Sequence, residues 1–391
     1  MKILYVAPYP PLKSGIAYYA YHFKNTIEQN FDIQMDLLDI CQNENIYTIS
    51  KFISLGNKIK YFKKIHRYDI IHFEIGVGQN REFYILHFMK KYYPSIRTMV
   101  TLHDPPMILS APMKFIGLEN MPRILRGIRK IGDLTIGRYW EKKILGKVNR
   151  TICLTEKGRL QITKRLKRDI FYLPHLYFDI NMKIKKYRNK VIKILFFGYL
   201  GSKKGIDILI KSFAQLLKSS PKYNGIKLYI CGGLPEGRKQ TKFQDYLQRL
   251  PIDLDISKNV IFTGGISEQE KVFHLKDADI MVLPYRKQNT FGSSSALIQG
   301  MSYGLPIIVA DVKNFFNEIE DGKNGILFED GNVKILTEKI KLLVKNRLLR
   351  RKLGENAKNH IIKEHNPEYV SNRVLQIYKT CMEKKIDEDS D

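Results

Sequence analysis

The chain has 391 residues, 44% of them hydrophobic, and carries 66 Lys and Arg against 39 Asp and Glu, a formal net charge of +27. That length is too great for one hydrophobic core and fits two α/β domains of ordinary size, with enough apolar residues for both. Its four cysteines, Cys41, Cys153, Cys231 and Cys381, have no short spacing; this argues against a zinc or disulfide framework built on cysteine and fits a reducing, cytosolic compartment.

The first residues, MKILYVAPYPP, read as a buried strand, because the apolar run is too short for a secretory signal and ends in prolines. Further short apolar runs at 33–38, 69–73, 97–102, 150–154 and 169–173 alternate with helical stretches. Such alternation predicts a parallel, doubly wound sheet. Ser14 and Gly15 follow the first strand and precede a helix from about Ile16, so either could be its N-cap. His72 and Glu74 alternate on the strand that precedes the fourth run and share a face, open equally to core satisfaction and to acceptor binding. His103 and Asp104 stand just past the fourth run, at the strand end where α/β sheets place ligand residues.

Between 114 and 150 ten cations, Lys114 to Arg150, face only Glu119, Asp133 and Glu141, and apolar residues such as Phe115, Ile124, Leu125, Ile128 and Ile131 are interleaved with them. A solvated helix face and an amphipathic surface for an anionic membrane or a lipid-diphosphate acceptor are the two readings. No nucleic-acid-binding signature accompanies the charge, so no nucleic acid is expected as a partner. No stretch reaches the ~18 to 20 apolar residues needed to cross a bilayer.

Residues 174–193 break the pattern with Pro174 and a run of cations, and read as the interdomain connection. Strands are then predicted near 192–197, 226–231, 259–263, 279–283 and 305–309, each followed by a helix. In the loop after the first of these, Gly198 and Gly201 permit a close turn, and Lys203 and Lys204 precede a helix from about Ile206. After Pro284, the run Gly292, Ser293, Ser294 and Ser295 opens another helix, presenting unpaired backbone N–H groups and a positive dipole end suited to phosphate. Asp277 and Asp279 have a metal-pair spacing, but they join a helix end to a strand start and read as capping residues; no metal is expected. Residues 333–383 read as helical, interrupted at Pro367, before an acidic tail.

FGSSSALIQGMSYGLPIIVAD (291–311) resembles the nucleotide-sugar-binding segment of glycosyltransferase family 4, the retaining GT-B group. GYLGSKKGIDILIKSFAQL (198–216), IFTGGISEQEKVFHLKDADIMVLP (261–284) and NGILFEDGN (324–332) are similar, in order, to its diphosphate loop, base-binding segment and closing turn. The N-terminal half matches through PPLKSGIAYYAYHF and TLHDPP alone. The resemblance implies two doubly wound Rossmann-like domains facing a cleft. An acceptor-binding domain would cover 1–180, with helix 366–383 crossing back to it, and a nucleotide-sugar-binding domain 190–365.

It further implies His103 and Asp104 as catalytic-loop residues. Donor contacts would come from Gly15, Gly198, Lys203, Lys204, Arg286, Gly292, Ser293 and Ser294, with Gln299 at the ribose and the backbone of Gly265 and Ile266 at the base. The donor is expected to be of UDP or GDP type, with no separate cofactor. Two glutamates usual in the family are here Phe291 and Gln299, and the arginine that usually accompanies the phosphate lysine is Tyr199. A glutamine can still bond a ribose hydroxyl, whereas phenylalanine fills no polar role. The reading is therefore a cytoplasmic, membrane-peripheral hexosyltransferase of envelope polysaccharide assembly, with a glycan or lipid-linked acceptor. The alternatives are a catalytically impaired GT-B binding module at a membrane or nucleic acid and, less favoured, another GT-B reaction such as a nucleotide-sugar epimerase or a phosphorylase.

Overall fold

The computed structural model describes residues 1–12, 14–38, 49–76, 80–105, 126–177, 191–234, 241–288 and 291–383. The chain divides into two compact units. The first comprises Met1–Leu176, Asn289–Ser293 and Pro367–Asp391; the second comprises Tyr177–Gln288 and Ser294–Asn366.

The first unit is built on strands β1 (Lys2–Val6), β2 (Gln34–Leu37), β3 (Ile70–Ile75), β4 (Thr98–Leu102), β5 (Arg150–Cys153) and β6 (Phe171–Tyr172). They form one parallel sheet in the order β2-β1-β3-β4-β5-β6. β3 and β4, central in the sheet, are buried along their whole length, the polar His72, Glu74, Thr98 and Thr101 included. Helices α1 (Gly15–Asn30), α2 (Ile49–Lys60), α3 (Asn80–Tyr92), α4 (Arg126–Leu145) and α5 (Glu156–Leu166) connect them. The α1 cap is Ser14, whose hydroxyl accepts from Ala17 N at 3.0 Å, so Gly15 is the first helical residue. The last helix, α12 (Pro367–Glu383), belongs to this unit and buries Val370, Val374, Ile377, Tyr378 and Cys381.

The second unit holds β7 (Lys193–Phe197), β8 (Lys227–Cys231), β9 (Val260–Gly264), β10 (Ile280–Leu283), β11 (Ile307–Ala310) and β12 (Ile326–Phe328), ordered β12-β11-β10-β7-β8-β9 and parallel throughout. β12 was not anticipated; three residues between two glycine turns are too short to show a strand pattern. The helices are α6 (Ile206–Lys218), α7 (Lys242–Asp253), α8 (Glu268–Asp277), α9 (Ser295–Ser302), α10 (Val333–Lys345) and α11 (Arg347–Glu364). The chain runs β7 to β9 toward one edge and returns with β10 on the other side of β7. That reversal opens a crevice beyond the carboxyl ends of β7 and β10, where open α/β sheets take ligands. In the first sheet the corresponding reversal lies between β1 and β3.

Of the basic stretch, 106–125 lies outside the described residues, as do the side chains of 126–134, the connecting residues 178–190, Cys41 and the acidic tail. No helix among the described residues is long and apolar enough to cross a membrane.

Candidate functional site

At the reversal point of the second unit, the loops after β7 and β10 fold onto each other. Gly205 adopts φ +64°, and a Cβ there would lie 1.8 Å from Pro284 O, so only glycine allows the contact. Arg286 N donates to Lys203 O at 2.9 Å. The Lys204 ammonium sits 3.7 Å from the centre of the Tyr285 ring, a cation–π contact that fixes where the charge points. The Tyr285 hydroxyl lies 3.4 Å from Ser294 Oγ, and Ser294 caps α9 by accepting from Leu297 N. Gly198, at φ +144°, is close to the same hydroxyl. Tyr285 is thus the hub that brings Gly198, Lys204 and Ser294 together, and sequence reasoning missed it. Its one local signal is an aromatic directly after a strand-ending proline.

The cations at this crevice differ in availability. Arg286 donates to Asp207 Oδ2 at 2.6 Å, which compensates part of its charge. Lys203 is exposed and has no acidic partner among the described residues. Gln299, one turn into α9, donates its amide to Ser295 Oγ at 2.9 Å, which directs the amide N–H back toward the start of the helix. Gly265 and Ile266 follow β9, two strands from β7; Gly265 is exposed and Ile266 packs partly on the core. Asp277 and Asp279 are both tied to Lys193, the first to its ammonium and the second to its backbone N–H at 3.0 Å.

In the first unit, His103 donates or accepts through Nε2 at 2.7 Å from Glu74 Oε2. The other Glu74 oxygen accepts from the Tyr5 hydroxyl at 2.8 Å. With an ionised Glu74, the His103 proton belongs on Nε2, and Nδ1 has no hydrogen-bond partner among the described residues. The Tyr19 ring packs edge-on against His103 at 5.0 Å and against His175 at 5.0 Å. His72 is fully buried between Tyr378 (Nδ1 to hydroxyl, 2.8 Å) and Thr101 (Nε2 to hydroxyl, 2.8 Å). Burial lowers its pKa to about 4, against the raising effect of Glu74, so it is neutral at pH 7. Burial likewise pushes the Tyr5 and Tyr19 hydroxyls well up.

Asp104 is wedged between two glycines. A Cβ on Gly76 would come within 2.9 Å of one carboxylate oxygen, and one on Gly292 within 2.4 Å of the other. Phe291, Gly292 and Ser293 group with this unit, whereas the sequence had placed them in the second domain. The reason is local: Phe291 N donates to Pro105 O at 2.6 Å, Phe291 O accepts from the Thr155 hydroxyl, and the Phe291 ring is buried. Ser293 Oγ is buried without a hydrogen-bond partner among the described residues, one residue before the α9 cap. Gly15 carries no steric demand of its own, since a Cβ there would meet nothing within 4 Å.

Residues 178–360 match the sequence model of a family described as glycosyl transferases group 1. The matched residues contain every loop of the Tyr285 cluster. Among curated relatives, the poly(ribitol-phosphate) alpha-N-acetylglucosaminyltransferase of Staphylococcus aureus is 26% identical over 60% of this chain and 44% of its own length. An uncharacterized glycosyltransferase of Methanocaldococcus jannaschii is 24% identical over 92% of both chains. The chain spans about half or less of the length of most curated relatives it matches. Among solved structures, Anabaena HepE in complex with UDP-glucose superposes with a TM-score of 0.71 at 15% identity, over 97% of this chain and all of that one. The fold is GT-B.

Proposed function

We propose that this chain is a retaining glycosyltransferase of the hexosyltransferase type, moving a sugar from a nucleotide-diphosphate-sugar to an acceptor hydroxyl in cell-envelope polysaccharide assembly. The observation that carries the reading is the fixed Lys204 ammonium over Tyr285, within the residues that match the group 1 model, beside the Ser294-capped helix and the exposed Lys203. Relatives named for poly(ribitol-phosphate) N-acetylglucosaminyl transfer and for capsular polysaccharide biosynthesis, and a neighbour bound to UDP-glucose, support the substrate class.

In the proposed reaction the bond from sugar C1 to the distal phosphate oxygen breaks, and its electron pair leaves with the nucleoside diphosphate. The acceptor oxygen bonds to C1 on the same face, and its proton passes to the departing phosphate oxygen. The protein's part is charge stabilisation and orientation. Lys204, Lys203, the N-terminus of α9 and the Ser293 and Ser294 hydroxyls receive the growing phosphate charge. Gly198 and Gly292 lie by the phosphates, Arg286 adds charge tempered by Asp207, the Gln299 side-chain carbonyl takes a ribose hydroxyl, and Gly265 and Ile266 border the base. His103, held through Nε2 by Glu74, offers Nδ1 as an acceptor for a sugar or acceptor hydroxyl, with Asp104 beside it in the chain. The donor is a substrate, no cofactor or donor-site metal is proposed, and the acceptor is a glycan or lipid-linked glycan met at an anionic membrane surface, with no nucleic acid involved.

The test is a thermal-shift series with UDP, GDP and their sugars, since a ligand that binds the folded state raises Tm. A rise with a nucleotide diphosphate that Lys204→Ala removes supports the site, and release of nucleoside diphosphate on adding acceptor supports transfer. Binding without turnover would assign the chain to an impaired binding module instead.

A further inference from the structure

Away from the crevice, the second unit holds a cluster the transfer reaction does not use. His360, in the last turns of α11, and His365, its C-cap, both direct Nε2 to one oxygen of Glu318, at 3.0 and 2.8 Å from Oε2. The three ligand atoms lie within 4.8 Å of one another. Glu318 is buried, His365 is fully buried and the His360 side chain is 25% exposed. The Glu318 turn is itself fixed, because Asn324 donates to Glu318 O at 2.8 Å and accepts from Glu320 N at 2.8 Å.

We propose that Glu318, His360 and His365 form a binding site for one divalent transition-metal ion of the zinc class. Two imidazoles and a carboxylate are a recurrent three-ligand zinc set, with a water in the fourth position. Metal–ligand bonds of ~2.0 to 2.1 Å place tetrahedral ligand atoms about 3.3 Å apart, so the two separations from Glu318 Oε2, 3.0 and 2.8 Å, need to widen by about half an ångström or less. Two imidazoles converging on the same oxygen, rather than one on each, leave a common point that an ion can occupy. The exposed edge of His360 supplies the approach for the ion and its water. A neutral ring that binds the ion through Nε2 carries its proton on Nδ1, so a ring that starts with the proton on Nε2 exchanges it through solvent for one on Nδ1, with no net loss.

The site's place suggests a structural ion. His365 O accepts from Tyr177 N at 2.9 Å, and Tyr177 and Asn366 are the first and last residues of the second unit. An ion there would clamp the end of α11 to the 311–320 turn where the chain enters and leaves the unit.

The experiment uses the untagged full-length chain, stripped with chelator and dialysed against micromolar zinc chloride, with bound metal measured by mass spectrometry. One zinc per chain is expected, with a zinc-dependent rise in Tm and, after cobalt replacement, visible absorption of a four-coordinate ion. His360→Gln, at the partly exposed ligand, should keep its chelator-treated Tm within a few degrees yet bind at least tenfold more weakly; Glu318→Gln should do the same to binding. Asp277→Asn should bind as wild type does. A wild-type chain that holds no zinc, or a His360→Gln chain that holds as much as wild type, would overturn the site, and neither result bears on donor binding.

Discussion

Glu74 decides what His103 can do. By holding Nε2 at 2.7 Å it turns Nδ1 into the open nitrogen, so Glu74→Gln, which can present an amide N–H in place of one carboxylate oxygen, should disturb the tautomer more than the packing. Transfer activity should fall by ten- to a hundredfold while donor affinity in the thermal-shift series stays near wild type; equal loss of both would point to misfolding. His72 makes a different prediction. Its pKa in the folded protein is about 4, below the ordinary value of about 6.5. As pH falls through 6.5 the unfolded chain takes a proton that the folded chain refuses until about pH 4, so stability is lost across that window, by on the order of 3 kcal/mol from this group. His72→Gln should flatten the dependence of Tm on pH between 6.5 and 4, even though its Tm at pH 7 is lower. An unchanged slope would assign the acid sensitivity to other groups.

Two glycines of one element separate backbone need from ligand need. Gly205 sits at φ +64° against Pro284 O, and Gly201 has open space around it. Gly205→Ala should therefore cost at least ~2 kcal/mol and displace Lys204, whereas Gly201→Ala should stay within about 0.5 kcal/mol; chemical denaturation of the two variants checks this. Gly15 belongs with Gly201. As the first residue of α1 it has no strain to relieve, and alanine favours helix by up to ~1 kcal/mol over glycine. Gly15→Ala should leave Tm unchanged or raised, and a weaker thermal shift with nucleotide sugars in that variant would mean that a ligand lies against this backbone. The α9 cap behaves otherwise: Ser294→Ala removes the acceptor for Leu297 N and should cost ~1 kcal/mol in stability whatever it does to the donor.

For the molecule as a whole, charge and the last helix carry the remaining tests. α12 supplies Tyr378 to His72 and Thr380 to Arg150, whose guanidinium meets Thr380 Oγ1 at 3.0 Å. Tyr378→Phe leaves the buried His72 nitrogen unsatisfied and should cost ~1 to 3 kcal/mol, read as a lower Tm. The net charge of +27 bears on the proposed membrane encounter. Each cation near an anionic surface contributes about 1 kcal/mol at most, decaying over a Debye length. The chain should float with anionic vesicles at low salt and leave them as salt rises. Reversing Arg126, Arg129 and Lys130 to glutamate should abolish flotation and spare nucleotide binding; a wild-type chain that ignores such vesicles would return the acceptor to solution.

The sequence by itself determined what is local. Apolar runs of strand length, broken by glycine and proline, marked eleven of the strands because burial on both faces of a parallel sheet leaves a continuous signature. The cationic Gly198–Lys204 loop and the serine-rich opening of α9 were legible for the same reason, since each is chemistry carried by neighbours in the chain. What only the tertiary structure decided is which loops meet. Parallel strands pair through crossovers, so no local pattern says that β10 returns beside β7 and sets Tyr285 under Lys204, 3.7 Å away. Nor does any local pattern bring Glu74 to His103, attach Phe291 to Pro105, or gather Glu318 with two histidines more than forty residues on. Those contacts arise from packing that closes long loops, and their partners are chosen by the sheet order rather than by anything near them in sequence.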